Sequence, residues 1–375
     1  MAKAAGATCN LKCRYCYYLE RRALYPGQPM QMTDQVLEQF VRDYIGAQST
    51  PVVNFTWHGG EPLMRPLSFY RRAVRLQKQY AQGRQIENCL QTNGTLLTDE
   101  WCDFLAENHF LVGISIDGPQ PVHDAYRRDR GEAPTWQRVM RSIDLLNQHG
   151  VEWNAMAVVN DRNATQPVEF YRFFRDELKC QFLQFAPIVE RNADGSVTDF
   201  SVRPEAWGNF LCTMFDEWVR HDVGAMFVQL FDATLANWCG VMPGVCTLAE
   251  TCGQAAALEW NGDLYSCDHF VTPSHRLGNI RQQSILQMMQ SAAQRSFGQR
   301  KRDALPEQCL GCDVLFACHG ECPKNRFAAN AGGDARLNYL CEGYRQFFHH
   351  VAPCMDFMRN ELLAGRAPAN VMGLF

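Results

Sequence analysis

Over the first half of the chain, short apolar runs of the kind found in strands alternate with stretches whose apolar residues recur at helical spacing. This pattern is typical of strands that are followed by helices. Five short apolar runs predict strands at 52–57, 86–92, 111–117, 152–159 and 182–187. Between these runs, apolar residues at helical spacing predict helices at 33–45, 66–80, 99–107, 135–149 and 167–177. Thr33 and Thr98 each precede an acidic residue at a predicted helix start, so we expect both to act as N-caps.

Alternating strands and helices favour an α/β fold built around a parallel sheet. Five or six strand–helix units are fewer than the eight of a closed barrel, so the sequence predicts a partial, TIM-like (β/α)6 barrel. The alternation ends near residue 190, although 204–219 still predicts a helix, and from Cys246 onward short segments are punctuated by Gly, Pro and Cys. We therefore expect an α/β domain at 1–235 and a cysteine-rich domain with little regular structure at 236–375.

Composition and charge exclude several classes of partner. Of the 375 residues, 46% are hydrophobic and 20% are charged, which is ordinary for a globular protein. A formal net charge of −4 gives no electrostatic reason to expect nucleic acid as a partner. No apolar run approaches the roughly 18 residues of a membrane span, so we expect no membrane partner. Because a charged, cysteine-bearing motif begins at Cys9, where a signal peptide would need its apolar region, we expect a cytoplasmic protein.

Seventeen cysteines in such a protein point to metal binding rather than to disulfides, which are rare in the reducing cytosol. Their distribution supports this interpretation, because three fall within 9–16, three within 246–267 and five within 309–341. The other six are scattered, and we expect them to be small buried hydrophobic residues: Cys89, Cys102, Cys180, Cys212, Cys239 and Cys354.

The first cysteine group, Cys9, Cys13 and Cys16, has the spacing C-x3-C-x2-C. A [4Fe–4S] cluster has four irons that thiolates usually bind. Three cysteines would leave one iron without a protein ligand, just as catalytic metal sites keep a coordination position open. The alternative is a structural zinc site with His58 as the nearest fourth ligand, but zinc loops usually contain C-x2-C pairs. The spacing favours the cluster.

This motif, with the aromatic residue Tyr15 before its last cysteine, resembles the signature of the radical S-adenosylmethionine (radical SAM) superfamily. A second motif of that superfamily, Gly59-Gly60-Glu61-Pro62, follows the strand predicted at 52–57. Its glycines would let the backbone approach a ligand closely. The resemblance implies that S-adenosylmethionine binds the open iron, that Gly59, Gly60 and Glu61 line its methionine end, and that the cofactor yields a 5′-deoxyadenosyl radical.

Three further positions resemble cofactor contacts of this superfamily, although a structural role explains each of them equally well. Ser115 lies at the carboxyl end of a predicted strand, where barrel-type folds place ligand contacts, and it resembles a position that faces the ribose. Arg127 resembles an arginine that contacts the cofactor. Ile188 resembles an apolar backbone contact near the adenine.

The second and third cysteine groups together provide eight thiols. Two four-iron clusters and two tetrahedral zinc ions both need eight, and the spacing does not decide between them. The pattern closely resembles the SPASM extension of radical SAM enzymes, which implies two auxiliary [4Fe–4S] clusters and therefore three clusters in all. By that resemblance, one auxiliary set is Cys246, Cys252, Cys267 and Cys322, and the other is Cys309, Cys312, Cys318 and Cys341.

Within the SPASM proteins, the whole chain is most similar to the anaerobic sulfatase-maturating enzymes. The likeness includes the opening Cys-Asn-Leu-Lys-Cys-Arg-Tyr-Cys-Tyr-Tyr-Leu-Glu and the segments 91–94 and 182–185. It implies that the enzyme oxidises a Cys or Ser of a sulfatase polypeptide to Cα-formylglycine. The adenosyl radical would remove a hydrogen atom from Cβ, and an auxiliary cluster would accept an electron. An electron donor such as flavodoxin or ferredoxin would reduce the first cluster.

Asp268, which directly follows Cys267, matches the aspartate that serves as general base in that family. It would remove the thiol or hydroxyl proton of the substrate residue. Taken from local sequence alone, Asp268 is more simply a hydrogen-bond acceptor in a tight turn. A general base works best when its pKa is near the working pH, whereas aspartate starts near about 3.9, so burial beside a cluster would be needed to raise the pKa of Asp268.

Two other functions remain open at this point. A SPASM maturase that crosslinks a small ribosomal peptide would share every cluster ligand, although such enzymes often carry an extra N-terminal peptide-binding domain, for which the eight residues before Cys9 leave no room. A zinc-stabilised binding module without enzymatic activity would use the clustered cysteines structurally. The first predicts crosslinked peptide products, and the second predicts a colourless protein without iron.

Overall fold

The computed structural model describes residues 1–329, 333 and 336–375. The chain divides into two compact units. The first unit comprises Met1–Ile116, His123–Asn154 and Gly253–Gly298. The second comprises Asp117–Val122, Ala155–Cys252 and Gln299–Phe375.

Strands and helices alternate through the first two thirds of the chain. In order, they are α1 (Tyr18–Arg21), α2 (Asp34–Gly46), β1 (Val52–Trp57), α3 (Leu67–Tyr80), β2 (Gln85–Thr92), α4 (Asp99–Glu107), β3 (Phe110–Ser115), α5 (Gln120–Tyr126), α6 (Trp136–Gln148), β4 (Trp153–Val159), α7 (Pro167–Arg172), β5 (Phe182–Pro187), α8 (Pro204–His221), β6 (Phe227–Val228) and α9 (Gln229–Trp238). All five predicted strands are present within two residues of their predicted ends.

Shorter elements follow. They are β7 (Ala257–Leu258), β8 (Asp263–Tyr265), β9 (Arg276–Asn279), α10 (Ile285–Met289), α11 (Ala292–Asp303), α12 (Glu307–Leu310), α13 (Leu315–Cys318), β10 (Arg326–Ala328), β11 (Leu337–Asn338) and the long α14 (Cys341–Leu363). Seven 3-10 turns lie at Arg22–Leu24, Pro62–Met64, Asn163–Thr165, Asp268–Phe270, Pro273–His275, Pro323–Asn325 and Pro368–Leu374 among the described residues, and a π-turn at Phe173–Glu177 extends α7. No helix in the described part of the chain is both long and apolar enough to cross a bilayer.

Strands β1 to β6 lie in chain order in one parallel sheet, which confirms the predicted α/β class. Phe55 of β1 pairs with Asn88 of β2, and Cys89 of β2 pairs with Leu111 of β3. Because the strands are parallel, their carboxyl ends meet at one edge of the sheet. Within the first unit, the residues that follow β1, β2 and β3 therefore share that edge.

The helices form where the sequence places their caps and apolar faces. The Thr33 side chain accepts a hydrogen bond from the Val36 N–H at 3.3 Å, and Thr98 caps α4 in the same way, so both predicted N-caps are confirmed. Helix α2 then buries Phe40 against Phe55 of β1, with ring centroids 5.5 Å apart at 77°. Such edge-to-face packing of aromatic rings stabilises the contact between helix and sheet.

The N-terminal segment joins the parallel sheet to a three-stranded antiparallel sheet within the first unit. The Ala2 N–H donates to Thr56 O in β1 at 2.8 Å, and the Lys3 N–H donates to Leu258 O in β7 at 2.9 Å. Strands β7, β8 and β9 complete the small sheet. Residues 253–298 thus belong to the same compact unit as the N-terminus, which the sequence did not indicate. The domain boundary near residue 235 remains a prediction.

In the second unit, α8 packs closely against α14. A Cβ atom on Gly343 would lie only 2.3 Å from Pro204 O, so no other residue fits at this crossing without a shift of the backbone. Trp207 and Tyr344 pack edge to face beside it, with centroids 5.7 Å apart. The 23 residues of α14 are regular structure that the sequence did not indicate.

Candidate active site

Residues 9–16, here called the cysteine loop, lie directly before α1 and carry the first cysteine group. The Cys9 Sγ accepts hydrogen bonds from the Leu11 N–H at 3.3 Å and from the Asn93 amide at 3.7 Å. Burial raises the pKa of the Cys9 thiol to about 12. A metal that binds here must therefore displace a proton, as is usual for cysteine ligands.

An amide network beside the cysteine loop fixes its first residues. Asn93, which follows β2, donates to Asn10 Oδ1 at 2.9 Å, and the Asn10 amide donates to the Thr95 hydroxyl at 2.8 Å. The Thr95 hydroxyl returns a hydrogen bond to Asn93 Oδ1 at 2.7 Å. The carboxyl end of β2 thus positions the loop from the side.

The Gly59-Gly60-Glu61-Pro62 segment packs directly under the chain that enters the cysteine loop. The Gly60 N–H donates to Gly6 O, and the Glu61 N–H donates to Thr8 O, both at 2.8 Å. A Cβ atom on Gly60 would lie 2.3 Å from Thr8 O. We expected glycine here for approach to a ligand, but the contact that demands it in this structure is with the protein's own backbone.

The Glu61 carboxylate connects the same segment to the end of β2. It accepts hydrogen bonds from the Leu63 N–H at 2.9 Å, from the Thr92 hydroxyl at 2.7 Å and from the Asn93 N–H at 2.8 Å. Glu61 is fully buried, and burial outweighs these three donors and raises its pKa to about 7. Glu61 therefore has a structural task that does not depend on any ligand.

The weaker predicted cofactor contacts fall into both units. In the first unit, the Arg127 guanidinium lies 5.6 Å from the centroid of the Tyr15 ring, a cation–π distance, and the Ser115 hydroxyl accepts a hydrogen bond from Gln91 at 3.0 Å. In the second unit, the buried Ile188 donates its N–H to Val159 O at 2.8 Å. These contacts explain each residue structurally, and their roles toward a cofactor remain predictions.

Asp268 is held by four side chains of the first unit. Its Oδ2 accepts hydrogen bonds from the Tyr17 and Tyr18 hydroxyls, each at 2.7 Å. Its Oδ1 lies 2.6 Å from the Lys3 ammonium and 2.8 Å from the Arg21 guanidinium. Because Tyr17, Tyr18 and Arg21 come immediately after the cysteine loop, this clamp joins the loop to Asp268.

The charges of this clamp determine the protonation of Asp268. Burial acts to raise the pKa of Asp268, but the cations Lys3 and Arg21 outweigh burial and hold it well below its usual range. A general base is expected to have a raised pKa, but the pKa of Asp268 is lowered instead. Burial and the charge of Asp268 raise the pKa values of Tyr17 and Tyr18 well above normal, so both phenols remain donors.

Sequence reasoning missed the residues that hold Asp268. Lys3 is 0% exposed and also bonds Glu259 at 2.7 Å. The signal for it was present, since Lys3 is a single charge between alanines in an apolar stretch, and a buried lysine needs an anionic partner. Tyr17 and Tyr18 belong to the motif that opens with Cys9, and the motif does not indicate their contact with Asp268.

Four cysteines of the second unit line one cavity of about 350 Å³, here called the four-cysteine cavity. They come from α12, α13, the segment between them and the first residue of α14: Cys309, Cys312, Cys318 and Cys341. Burial raises the pKa of Cys318 to about 12 and that of Cys341 to about 11. Thiols with raised pKa values need cations to become thiolates, and four cysteines that line one cavity fit the ligand number of an iron–sulfur cluster.

The other predicted auxiliary set is divided between the units. Cys246, Cys252 and Cys322 belong to the second unit, and Cys267 belongs to the first. In the second unit, the Cys246 carbonyl oxygen accepts a hydrogen bond from the ammonium of the buried Lys301 at 2.6 Å. Which four cysteines bind one cluster therefore remains a prediction for this set.

Comparison with known families and proteins agrees with these features. Residues 5–174 match the radical SAM superfamily, and residues 246–313 match the iron–sulfur cluster-binding domain called SPASM. The chain is 58% identical to the serine-type anaerobic sulfatase-maturating enzyme of Bacteroides thetaiotaomicron, over 99% of this chain and 94% of that protein. It is 30% identical to the cysteine-type enzyme of Clostridium perfringens, over 96% of this chain and 98% of that one.

A solved structure gives the same result. Native anSMEcpe with bound AdoMet and Cp18Cys peptide superimposes with a TM-score of 0.87 at 30% identity, covering 96% of this chain and 98% of that chain. Radical SAM and SPASM regions imply iron–sulfur clusters and S-adenosylmethionine as cofactors. Similarity along almost the whole chain favours the enzymatic interpretation over a zinc-stabilised binding module and over a maturase of small peptides. The chain belongs to the anaerobic sulfatase-maturating enzymes of the radical SAM superfamily.

Proposed function

We propose that this enzyme oxidises a serine of a sulfatase polypeptide to Cα-formylglycine, with S-adenosylmethionine and three [4Fe–4S] clusters as cofactors. The observation that carries the proposal is the clamp of four side chains around Asp268, built on the residues that follow the cysteine loop. It gives one carboxylate a fixed position in the same compact unit as the predicted site of radical formation.

Each group of predicted site residues would have its own role in the reaction. Cys9, Cys13 and Cys16 would hold the first cluster, and Gly59, Gly60 and Glu61 would line the methionine end of S-adenosylmethionine. When bound, this pair supplies the 5′-deoxyadenosyl radical that removes a hydrogen atom from the substrate Cβ. The two auxiliary clusters would be held by the two cysteine sets given above.

Asp268 would accept the hydroxyl proton as the substrate carbon is oxidised. The low pKa of Asp268 keeps it ionised and able to accept, although it makes the carboxylate a weak base. The clamp would offset this weak basicity by fixing the orientation of the carboxylate, since four donors hold its two oxygens in place.

Serine rather than cysteine is proposed as the substrate residue because of the pattern of similarity. The serine-type relative is 58% identical to this chain over the aligned residues, whereas the cysteine-type relative is 30% identical. We also predict that a flavodoxin or a ferredoxin reduces the first cluster. The cytoplasmic location and the absence of nucleic acid and membrane partners remain predictions as well.

The test uses two peptides of one sulfatase sequence that differ only in the target residue, serine or cysteine. Anaerobically reconstituted enzyme is incubated with S-adenosylmethionine and reductant, and 5′-deoxyadenosine and the peptide mass are both measured. We expect formylglycine from the serine peptide. We also expect the reconstituted enzyme to contain about twelve iron atoms per chain. Conversion of the cysteine peptide alone would contradict the substrate assignment, and crosslinked or unmodified peptide in both cases would contradict the reaction.

A further inference from the structure

A lysine of the second unit is buried against the backbone that begins at Cys246. Lys301, in the last turn of α11, is 1% exposed. Its Nζ donates to the backbone carbonyl oxygens of Cys246 at 2.6 Å, of Thr247 at 2.8 Å and of Ala249. An ammonium has three N–H donors, whereas a neutral amine has two, so three carbonyl acceptors match the charged form.

Among the described residues, no carboxylate is bonded to the Lys301 ammonium. Lys301 forms no ion pair within residues 1–329, 333 and 336–375. Glu321, the carboxylate whose charge acts on Lys301, is itself buried, and it accepts a hydrogen bond from the amide of Asn338 at 2.7 Å. A buried cation is costly unless a negative charge compensates it. The other groups whose negative charge would act on Lys301 are the thiolates of Cys246, Cys252 and Cys322.

A second cation fixes Lys301 in place. The Arg326 guanidinium donates to Lys301 O at 2.5 Å, and it also bonds the carbonyl oxygens of His319, Gly320 and Glu321. That turn leads directly into Cys322. Backbone on both sides of the lysine is therefore tied to the segments that carry the cysteines, so the ammonium has a fixed position relative to them.

We propose that Lys301 is a tuning residue, which raises the reduction potential of the iron–sulfur cluster held by Cys246, Cys252 and Cys322. The proposal rests on the ligand assignment made under the proposed function. A thiolate-bound cluster becomes more negative by one charge when it is reduced, and a fixed cation stabilises the reduced form more than the oxidised form. The cluster would therefore accept an electron more readily during oxidation of the substrate.

The experiment compares three variants at this position with one control. Lys301→Met and Lys301→Gln both remove the charge, but the glutamine keeps two N–H donors for the carbonyls. Lys301→Arg keeps the charge. The control is Arg302→Gln, which removes a neighbouring positive charge from the same helix at a side chain that is 47% exposed. Each holoenzyme is titrated anaerobically with a redox mediator and followed by electron paramagnetic resonance.

We expect Lys301→Met and Lys301→Gln to lower one of the cluster potentials by a similar amount. The expected size is about a tenfold lower ratio of reduced to oxidised cluster at a fixed potential, which is about 59 mV for one electron. Lys301→Arg and Arg302→Gln should leave all potentials close to those of the unaltered enzyme. S-adenosylmethionine cleavage should persist in every variant, since Lys301 belongs to neither predicted cofactor site of the first unit.

Unchanged potentials in Lys301→Gln at full iron content would overturn the proposal. A loss of about four irons in Lys301→Met and Lys301→Gln alike would also overturn it, because the lysine would then hold the loop rather than tune a cluster. Iron and sulfide in the unaltered enzyme report separately on the ligand assignment. A content of about four irons per chain there would refute the auxiliary clusters themselves, whatever the variants do.

Discussion

The cysteine loop and the four-cysteine cavity use the same side chain in opposite surroundings. In the loop, Cys9 accepts N–H bonds from Leu11 and Asn93, and the glycine segment at 59–60 supports the backbone that enters it. In the cavity, Cys309 packs in an apolar cluster with Leu305 and Leu337. One environment is rich in hydrogen-bond donors and the other is largely apolar.

The difference shows what cysteine spacing alone leaves undetermined. A loop of three thiols with polar neighbours suits a cluster that must also take a polar cofactor at its open iron. Four thiols that line one apolar cavity can satisfy every iron and leave no position for a substrate. The surroundings therefore distinguish a site of chemistry from a site of electron transfer, and the predictions below test that distinction.

The largest effect is expected when one thiol is removed from each region. Cys16→Ala should abolish 5′-deoxyadenosine formation, because the first cluster loses one of its three ligands. Cys318→Ala should lower the iron content by about four atoms yet leave the first cluster able to cleave S-adenosylmethionine. Anaerobic measurement of iron, 5′-deoxyadenosine and formylglycine in both variants makes the comparison. Equal loss of cleavage in both would show that the two regions do not have separate tasks.

Asp268→Asn should separate cleavage from oxidation. The variant should still form 5′-deoxyadenosine but make formylglycine about 10² times more slowly, the usual scale for loss of a general base. It should also lose about 3–5 kcal/mol of stability, because two buried ion pairs are broken, although Lys3 keeps its contact with Glu259.

The matched control for this change is Asp263→Asn, which removes another buried carboxylate of the same unit. Asp263 bonds Arg276 at 2.5 Å and Asn279 at 2.9 Å, and it is not part of the clamp. The control should lose stability but keep the ratio of formylglycine to 5′-deoxyadenosine. If Asp268→Asn also keeps that ratio, Asp268 is a structural residue, as its low pKa would allow.

The sequence predicted the parallel sheet well because the pattern that specifies it is local. Apolar runs with helical stretches between them marked all five longer strands, and the hydroxyls of Thr33 and Thr98 marked two helix starts. No such local pattern predicts the small antiparallel sheet. Its place in the first unit depends on hydrogen bonds from Lys3 to Leu258 and to Glu259, which lie more than 250 residues away along the chain.

The cluster ligands in the candidate site remain predictions, and no sequence pattern indicated the residues that support the site. Family resemblance groups four cysteines as one ligand set, and the structure shows that these four line one cavity. By contrast, the clamp on Asp268 combines Lys3 and Arg21 from the N-terminal segment with a turn near residue 268. Neither cation follows from a motif, and both reverse the direction expected for the pKa of Asp268.

Glu61 gives a pH-dependent test of the support under the cysteine loop. Its pKa in the folded protein, about 7, lies above its ordinary value of 4.5, so the folded state binds the proton more tightly. Its stabilising contribution of about 3 kcal/mol is fully present below pH 4.5 and is lost as the pH rises through 7. Glu61→Gln removes this dependence. The melting temperature of the variant, relative to the unaltered enzyme, should therefore rise by several degrees between pH 5 and pH 8.

A carboxylate of the second unit supplies the control for this test. Hydrogen bonds from Arg366 and Asn370 lower the pKa of Glu361 in α14 to about 2. Its contribution to stability is present above pH 4.5 and is lost only as the pH falls toward 2. Glu361→Gln should therefore keep a constant difference in melting temperature between pH 5 and pH 8. A constant difference for Glu61→Gln as well would mean that Glu61 is ionised throughout that range.

The smallest effect is expected at Asn93, where a hydrogen bond rather than a charge acts on a thiol. Asn93→Ala removes the amide donor to the Cys9 Sγ, and donors to cluster sulfurs raise the reduction potential. The potential of the first cluster should fall by less than about 59 mV, with the other clusters unchanged. The control is Asn108→Ala, whose amide bonds Phe104 O instead. A neutral dipole stabilises added negative charge less than a fixed cation does. A fall in cluster potential for Asn93→Ala as large as that expected for the Lys301 variants would therefore contradict the proposed difference between the donor-rich cysteine loop and an auxiliary site compensated by a cation.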